Sequence, residues 1–180
     1  MAPVRPRFAT GDRVPRPNAS LLSNSSGGSG VDLAPDFSEF CELLSAHRVE
    51  FVIVGAHALA FHGAPRFTGD LDVLVRPTVE NGKRLLAAIA EFGFPASGLT
   101  AEGVVSPRTV IEMGVPPVQL HVMSAVDGVT WDEVWLGKEI GPLGPNSVFY
   151  IGRTQFLKNK RAAARPKDLA DVAALTDDES

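Results

Sequence analysis

The sequence predicts an α/β (α+β) domain, a mixed β-sheet flanked by helices over residues 31–180, behind a flexible tail at 1–30. Two patterns point there. Short β-branched runs ending at turn residues alternate with apolar residues at helical spacing, and two of the runs flank a Gly-Pro turn as an antiparallel pair would. With 44% hydrophobic and 21% charged residues among 180, the chain is ordinary for a globular protein and long enough to bury a core without a metal or cross-link.

In chain order, Asp36-Phe37-Ser38-Glu39 reads as an N-cap with Glu three residues on, and Phe37, Phe40, Cys41 and Leu44 carry a helix to about His47. Phe51 to Val54 is a buried strand stopped by Gly55, and Ala56 to His62 a short helix closed by Gly63 and Pro65. Leu71 to Val75 is the next strand. Thr78 caps a helix whose Leu85, Leu86, Ile89 and Phe92 face the core before Gly93 ends it. Val110 to Met113 and Val118 to Met123 pair around Gly114-Val-Pro-Pro117, and Thr130-Trp-Asp-Glu133 is a capping box opening a helix. Trp131 and Trp135, four apart on that helix, read as core. Val148 to Ile151 is a further strand, Thr154 to about Ala164 a helix, and Pro166 starts a last helix carrying Leu169, Val172 and Leu175.

The formal charge of −4 is uneven. Residues 1–30 hold four Arg and one Asp, leaving 13 basic and 20 acidic side chains, a net of −7, in the other 150. Such a body is not a general nucleic-acid binder. Four prolines and the run Ser23 to Gly30 bury too little to offset the entropy of ordering the tail. Those prolines also break the amphipathic helix of an organelle transit peptide, and no apolar segment reads as a signal peptide. A lone Cys41 forms no internal disulfide and suits a reducing compartment; the expected location is cytoplasmic. The longest nearly apolar stretch, Phe51 to Phe61, is too short for a membrane span.

Chemistry concentrates in two stretches. In Arg66-Phe-Thr68-Gly-Asp70-Leu-Asp72, strand alternation puts Asp70 and Asp72 on one face and Leu71, Val73 and Val75 on the other. Two adjacent carboxylates repel unless a cation neutralises them, and hard oxygen ligands favour Mg²⁺ or Mn²⁺; a solvated strand edge is the plainer reading of the same pair. Gly55, between strand and helix, allows close backbone approach and leads into helix N–H groups that suit a phosphate, although it also serves as a turn residue. The second stretch puts Lys158, Lys160, Arg161, Arg165 and Lys167 within ten residues, enough to compensate several phosphate charges or to decorate a solvated helix end. Asp168 and Asp171 are placed to cap or pair with those cations.

Val54-Gly55-Ala56, thirteen residues and Asp70-Leu-Asp72 resemble the signature of the polymerase-β-like nucleotidyltransferase superfamily: hydrophobic residue, Gly, Gly or Ser, a spacer of about a dozen residues, then Asp-x-Asp. Over about residues 36–175 the chain is most similar to the small AbiEii-like and minimal nucleotidyltransferase proteins of bacteria, some of them toxin or antitoxin components. Gly114-Val-Pro-Pro117, Asp127-Gly-Val129 and the block from Asn159 to Asp171 carry that likeness. The resemblance implies a Mg²⁺- or Mn²⁺-dependent transfer of NMP from an NTP to an acceptor hydroxyl on a protein, an RNA or a small molecule, with a cognate toxin or antitoxin as a partner. It makes Asp70 and Asp72 the metal ligands, Gly55 and Ala56 the phosphate-facing turn, and Lys160-x4-Arg165 the grip on the triphosphate. His57, Arg66 and Thr68 are further candidates for nucleotide contact.

The chain departs from the pattern twice. Ala56 replaces the usual second Gly or Ser, and His121 stands where a third carboxylate completes the metal site, as a general base, a nitrogen ligand or a mark of lost catalysis. The alternative is therefore a catalytically inactive NTP-binding or partner-binding member of the same fold. His47 and His62, at helix ends, are left out of the site.

Overall fold

The computed structural model describes residues 7–8, 33–107 and 109–176. Its elements are β1 (Arg7–Phe8), α1 (Pro35–Ala46), β2 (Phe51–Val54), α2 (Gly55–Phe61), β3 (Asp70–Val75), α3 (Val79–Phe92), α4 (Ala101–Val104), β4 (Val110–Val115), β5 (Val118–Met123), α5 (Trp131–Gly137), β6 (Glu139–Leu143), β7 (Asn146–Tyr150), α6 (Arg153–Ala163) and α7 (Pro166–Thr176). Among the described residues the strands form one mixed sheet in the order β1-β4-β5-β3-β2-β7-β6, so the α/β expectation holds. The rest of the expected tail lies outside the described residues; Arg7–Phe8 pairs parallel with β4. No described helix is long and apolar enough to cross a membrane.

Three adjoining registers position the site. β3 runs antiparallel to β2 with Asp72 opposite Val54, and parallel to β5 with Asp72 opposite His121. β4 runs antiparallel to β5 with Glu112 opposite His121. Opposed residues share a face, so Asp72, His121 and Glu112 form a row across three strands, while Leu71, Val73 and Val75 are fully buried on the other side. Their core also takes Phe40 and Leu44 of α1 and Leu85, Ile89 and Phe92 of α3.

Several boundaries differ from expectation. α1 opens at Pro35 with Ala34 as an N-cap that has no side-chain bond, so Asp36 is a first-turn acid and not the cap. Proline at the first position supplies the helical φ itself, and Asp36 there suits the helix dipole. The capping box at Thr130 and Glu133 forms as expected, as do the Thr78 cap and the left-handed Gly93 stop. α4, capped by Thr100 Oγ1, and β6 are additions. β6 holds Gly141 and Pro142, poor strand formers; it exists because the sheet edge tolerates a missing donor and β7 supplies the pairing. Trp131 and Trp135 stack at 5.2 Å and pack partly buried against the core.

Asn81, buried at the start of α3, ties that helix to two strands. Its Oδ1 accepts from Glu50 N at 2.8 Å, and its Nδ2 donates to Glu50 O at 3.0 Å and Arg76 O at 3.1 Å, clamping the entry to β2 and the exit from β3. Asn81→Ala should leave Glu50 N unpaired, take one of two donors from each of Glu50 O and Arg76 O, and cost about 1–2 kcal/mol, read as a lower urea midpoint at unchanged slope.

Candidate active site

Asp70 opens β3, and the Thr68 hydroxyl, 3.2 Å from both Asp70 N and Asp70 O, holds that turn of backbone. Asp72 follows on the same face, packed on the bare backbone of Gly55, which sits at φ +66°. A Cβ on Gly55 would lie 2.0 Å from Asp72 Oδ2. Glycine is needed here for its left-handed conformation and for the space the carboxylate fills.

His121 Nδ1 donates to Asp72 Oδ1 at 3.0 Å. That hydrogen bond is the main cause that raises the imidazole pKa above its ordinary value; burial opposes it, and the charges of Asp72, Asp70 and Glu112 reinforce it. Glu112, buried on β4 beside His121, is a carboxylate in the row that sequence reasoning missed. Its signal was only the register of two strands, which no local motif announces.

Across from the strands stands a wall made by α6, the α6–α7 junction and Arg66. Lys160 is buried with its Nζ 2.8 Å from Asp168 Oδ1 and 2.9 Å from Asp171 Oδ2. Arg165 Nε donates to Asp168 Oδ2 at 2.5 Å, and Arg66 Nε and Nη2 donate to Asp171 at 2.9 and 3.3 Å. Burial pushes both Asp carboxyls up, but the hydrogen bonds and charges of Lys160, Arg165 and Arg66 outweigh it and hold both below the usual range. Three cations against two carboxylates leave this wall positive, and the exposed Lys167 adds to it. Pairing of Lys160 and Arg165 with the two aspartates follows the expectation; the link to Arg66, 105 residues away, does not show in the sequence.

The β3 carboxylates, His121 and the cations of this wall line one cleft of about 370 Å³. Of the predicted residues it brings together Gly55, Ala56, Arg66, Asp70, Asp72, His121, Lys160 and Arg165, with Lys167 of the cationic stretch, and it adds Asp127 and Asn159 to the lining. Asn159 Nδ2 donates to Asp127 O at 2.8 Å, which pins the loop before α5 to α6. His57 and Thr68, expected at the nucleotide, line a neighbouring cavity instead, because the first turn of α2 and the approach to β3 turn them to that side. Lys158 is drawn to Glu133 of α5 at 2.5 Å, outside the cleft lining. Cys41 is buried and burial pushes its thiol up to about 12, so it is no nucleophile.

No protein-family model matches the chain, and no curated protein matches it.

Lys160→Met keeps the bulk of the stem but leaves two buried carboxylates with only Arg165 and Arg66 to balance them, and should cost about 3–5 kcal/mol. Because Asp168 and Asp171 titrate below their unfolded values, the stability they supply is present above the ordinary carboxylate range and is lost as pH falls through their depressed pKa values. Urea unfolding across pH 3–7 should therefore show the Lys160→Met deficit shrinking in acid, where protonation relieves the stranded charges.

Proposed function

We propose that the chain is a metal-dependent nucleotidyltransferase, moving NMP from an NTP to an acceptor hydroxyl with release of pyrophosphate. One observation carries this reading: the two carboxylates of β3 face a cationic wall across a single cleft whose floor is the Gly55–Ala56 turn. The motif resemblance to polymerase-β-like enzymes of the AbiEii-like and minimal type supports the same conclusion.

The donor set fits a hard divalent cation. Among the described residues no group of three or more His, Cys, Asp or Glu is gathered for a metal, and Mg²⁺ characteristically takes one or two protein carboxylates and completes its shell with phosphate oxygens and water. Asp70 and Asp72 would hold it. When bound, the ion supplies charge neutralisation for the triphosphate and the developing transition state.

The chain's own residues do the rest. Arg165 and Lys167 carry exposed cations to the triphosphate, and Arg66 stands at the cleft edge. Lys160, spent on two aspartates, sets the charge and shape of the wall and holds Arg165 and Arg66 through them. Asp72 fixes the His121 tautomer: with Nδ1–H bonded to the carboxylate, the neutral ring carries its lone pair on Nε2, the atom that would receive the acceptor proton. The acceptor oxygen then bonds to the α-phosphorus, the bond from that phosphorus to the bridging oxygen breaks, and pyrophosphate leaves with the electron pair.

A second reading, a non-catalytic NTP binder or partner-binding protein of this fold, is favoured by two observations: His121 already engages Asp72, and Lys160 is already neutralised. Labelled-nucleotide transfer with Mn²⁺ and each of four NTPs separates the two. Wild type should label an acceptor at a rate about a hundredfold or more above Asp70→Ala/Asp72→Ala. Equal labelling would remove the enzyme reading, and calorimetric NTP binding without turnover would establish the second.

Gly55→Ala should displace the Asp72 carboxylate, weaken Mn²⁺ binding measured by electron spin resonance, and cost about 1–2 kcal/mol from the left-handed backbone. Unaltered Mn²⁺ affinity would separate Asp72 from the metal.

A further inference from the structure

Along β5 the face that carries His121 continues two residues on, about 6.5 Å further, to Met123, which stands opposite Val110 of β4. Both line the cleft, and so do Ala125, Val126 and Asp127, through which the chain leaves β5. The cleft therefore extends past the β3 carboxylates to an end whose sheet wall is uncharged. Asp127 is the third acid among its described lining residues, and the nucleotidyl-transfer scheme leaves it without a part.

Asp127 sits on a loop laid flat on α6. Its carbonyl accepts from Asn159 Nδ2 at 2.8 Å, and Val126 bridges to Val129 across the turn. The next residue, Gly128 at φ +76°, is so close to the helix that a Cβ there would lie 2.4 Å from that of Ala162. The backbone is thus fixed while the side chain is exposed, and among the described residues no hydrogen bond or ion pair takes up its carboxylate. Arg165 lies within reach of that charge. The hydrogen bond to Asp168 is the main cause that raises the guanidinium pKa; burial opposes it, and the charges of Asp168, Asp127 and Asp72 add to it. One guanidinium therefore stands in range of both Asp72 on the sheet and Asp127 on the α6 side.

An ionised carboxylate accepts hydrogen bonds and donates none, so its ligand must bring donors, and two adjacent donors occupy both oxygens. Like charge excludes a phosphate as that ligand. Where Arg165 and Lys167 hold the phosphates of a nucleotide, the group that follows them in the molecule is ribose, whose 2′- and 3′-hydroxyls are two neighbouring donors. A base amino group is a donor too, but it lies a sugar's length further from Arg165.

We propose that Asp127 reads the sugar: its carboxylate accepts the ribose 2′- and 3′-hydroxyls of the bound nucleotide, so that the cleft takes ribonucleotides in preference to 2′-deoxyribonucleotides. Resting on the nucleotidyl-transfer reading, this assigns the sugar of the donor substrate. Because the loop is already fixed on α6, little ordering cost remains to be met on binding.

The test is calorimetry on the full chain with Mn²⁺, using α,β-methylene-ATP, which binds without transfer, its 2′-deoxy analogue and tripolyphosphate. Wild type should bind the ribose form about tenfold or more tighter than the deoxy form, the loss of one charge-assisted hydrogen bond. Asp127→Ala should bring the two within about twofold of each other by weakening the ribose form, and should not weaken tripolyphosphate, because removing an acid near Arg165 leaves that cation at least as attractive to phosphate. The variant keeps the carbonyl and the glycine that hold the loop, so its urea midpoint should match wild type. Equal wild-type affinities for the ribose and deoxy forms, or a ribose preference that survives in Asp127→Ala, would overturn the proposal. So would a variant that keeps the ribose preference and loses a preference for α,β-methylene-ATP over α,β-methylene-UTP, which would assign the acid to the base. If tripolyphosphate and both ATP analogues bind alike, the sugar assignment alone falls; if none of them binds, the nucleotidyl-transfer reading falls with it.

Discussion

The buried ammonium of Lys160 is the constraint around which the polar half of the molecule is arranged. Taking one cation and two carboxylates out of water is costly, and the cost is met only because Arg165 and Arg66 complete the network from its exposed side. The distant loop before β3 is thereby held to three consecutive segments: the body of α6, the α6–α7 junction and the first turns of α7. The network does little for net stability compared with an apolar substitute, but it determines where two guanidinium groups stand relative to the β3 carboxylates. Placement of charge, more than burial of area, is what a site for phosphate chemistry requires.

The opposite wall obeys a different logic. There the sheet register does the positioning: Asp72 stands between Val54 on one neighbour and His121 on the other, and Gly55, next after Val54, leaves the space its carboxylate occupies. His121 sets the charge balance of this row, because an imidazole hydrogen-bonded to Asp72 offsets a negative charge. Glu112, opposite His121 on β4, places a second acid in the row one strand further out. The row thus carries two acids and one imidazole over β4, β5 and β3, with the imidazole between the carboxylates.

Most of this was legible in the sequence, for identifiable reasons. β2, β3 and β5 are short β-branched runs bounded by turns, and α3 and α5 announce themselves by capping residues, so local chemistry alone specifies them. The grouping of Gly55, Asp70, Asp72 and the Lys160–Arg165 pair followed from a motif whose spacing the fold honours. What escaped was set by partners far along the chain. β6 is a strand through β7, the α1 boundary obeys Pro35 more than Asp36, Glu112 joins the row through a register, and Arg66 meets Asp171 through tertiary packing. His57 illustrates the limit best: proximity to Gly55 in sequence suggested the phosphate side, but on a seven-residue helix the next residue but one already faces a different cavity.

That turn of α2 lies between two cavities of unlike lining. Ala56 touches both, so the helix start is a partition one residue thick between a charged cleft and a carbon-lined pocket. Charged phosphates and an uncharged carbon body make opposite demands on dielectric and hydration, and a single cavity could not serve both without stranding polar groups or wetting apolar ones. A small residue at Ala56 keeps the partition thin, and Arg66, tethered by Asp171 and bordering both spaces, marks their common edge. Unlike linings thus meet at the start of α2, with the β3 carboxylates on the charged side.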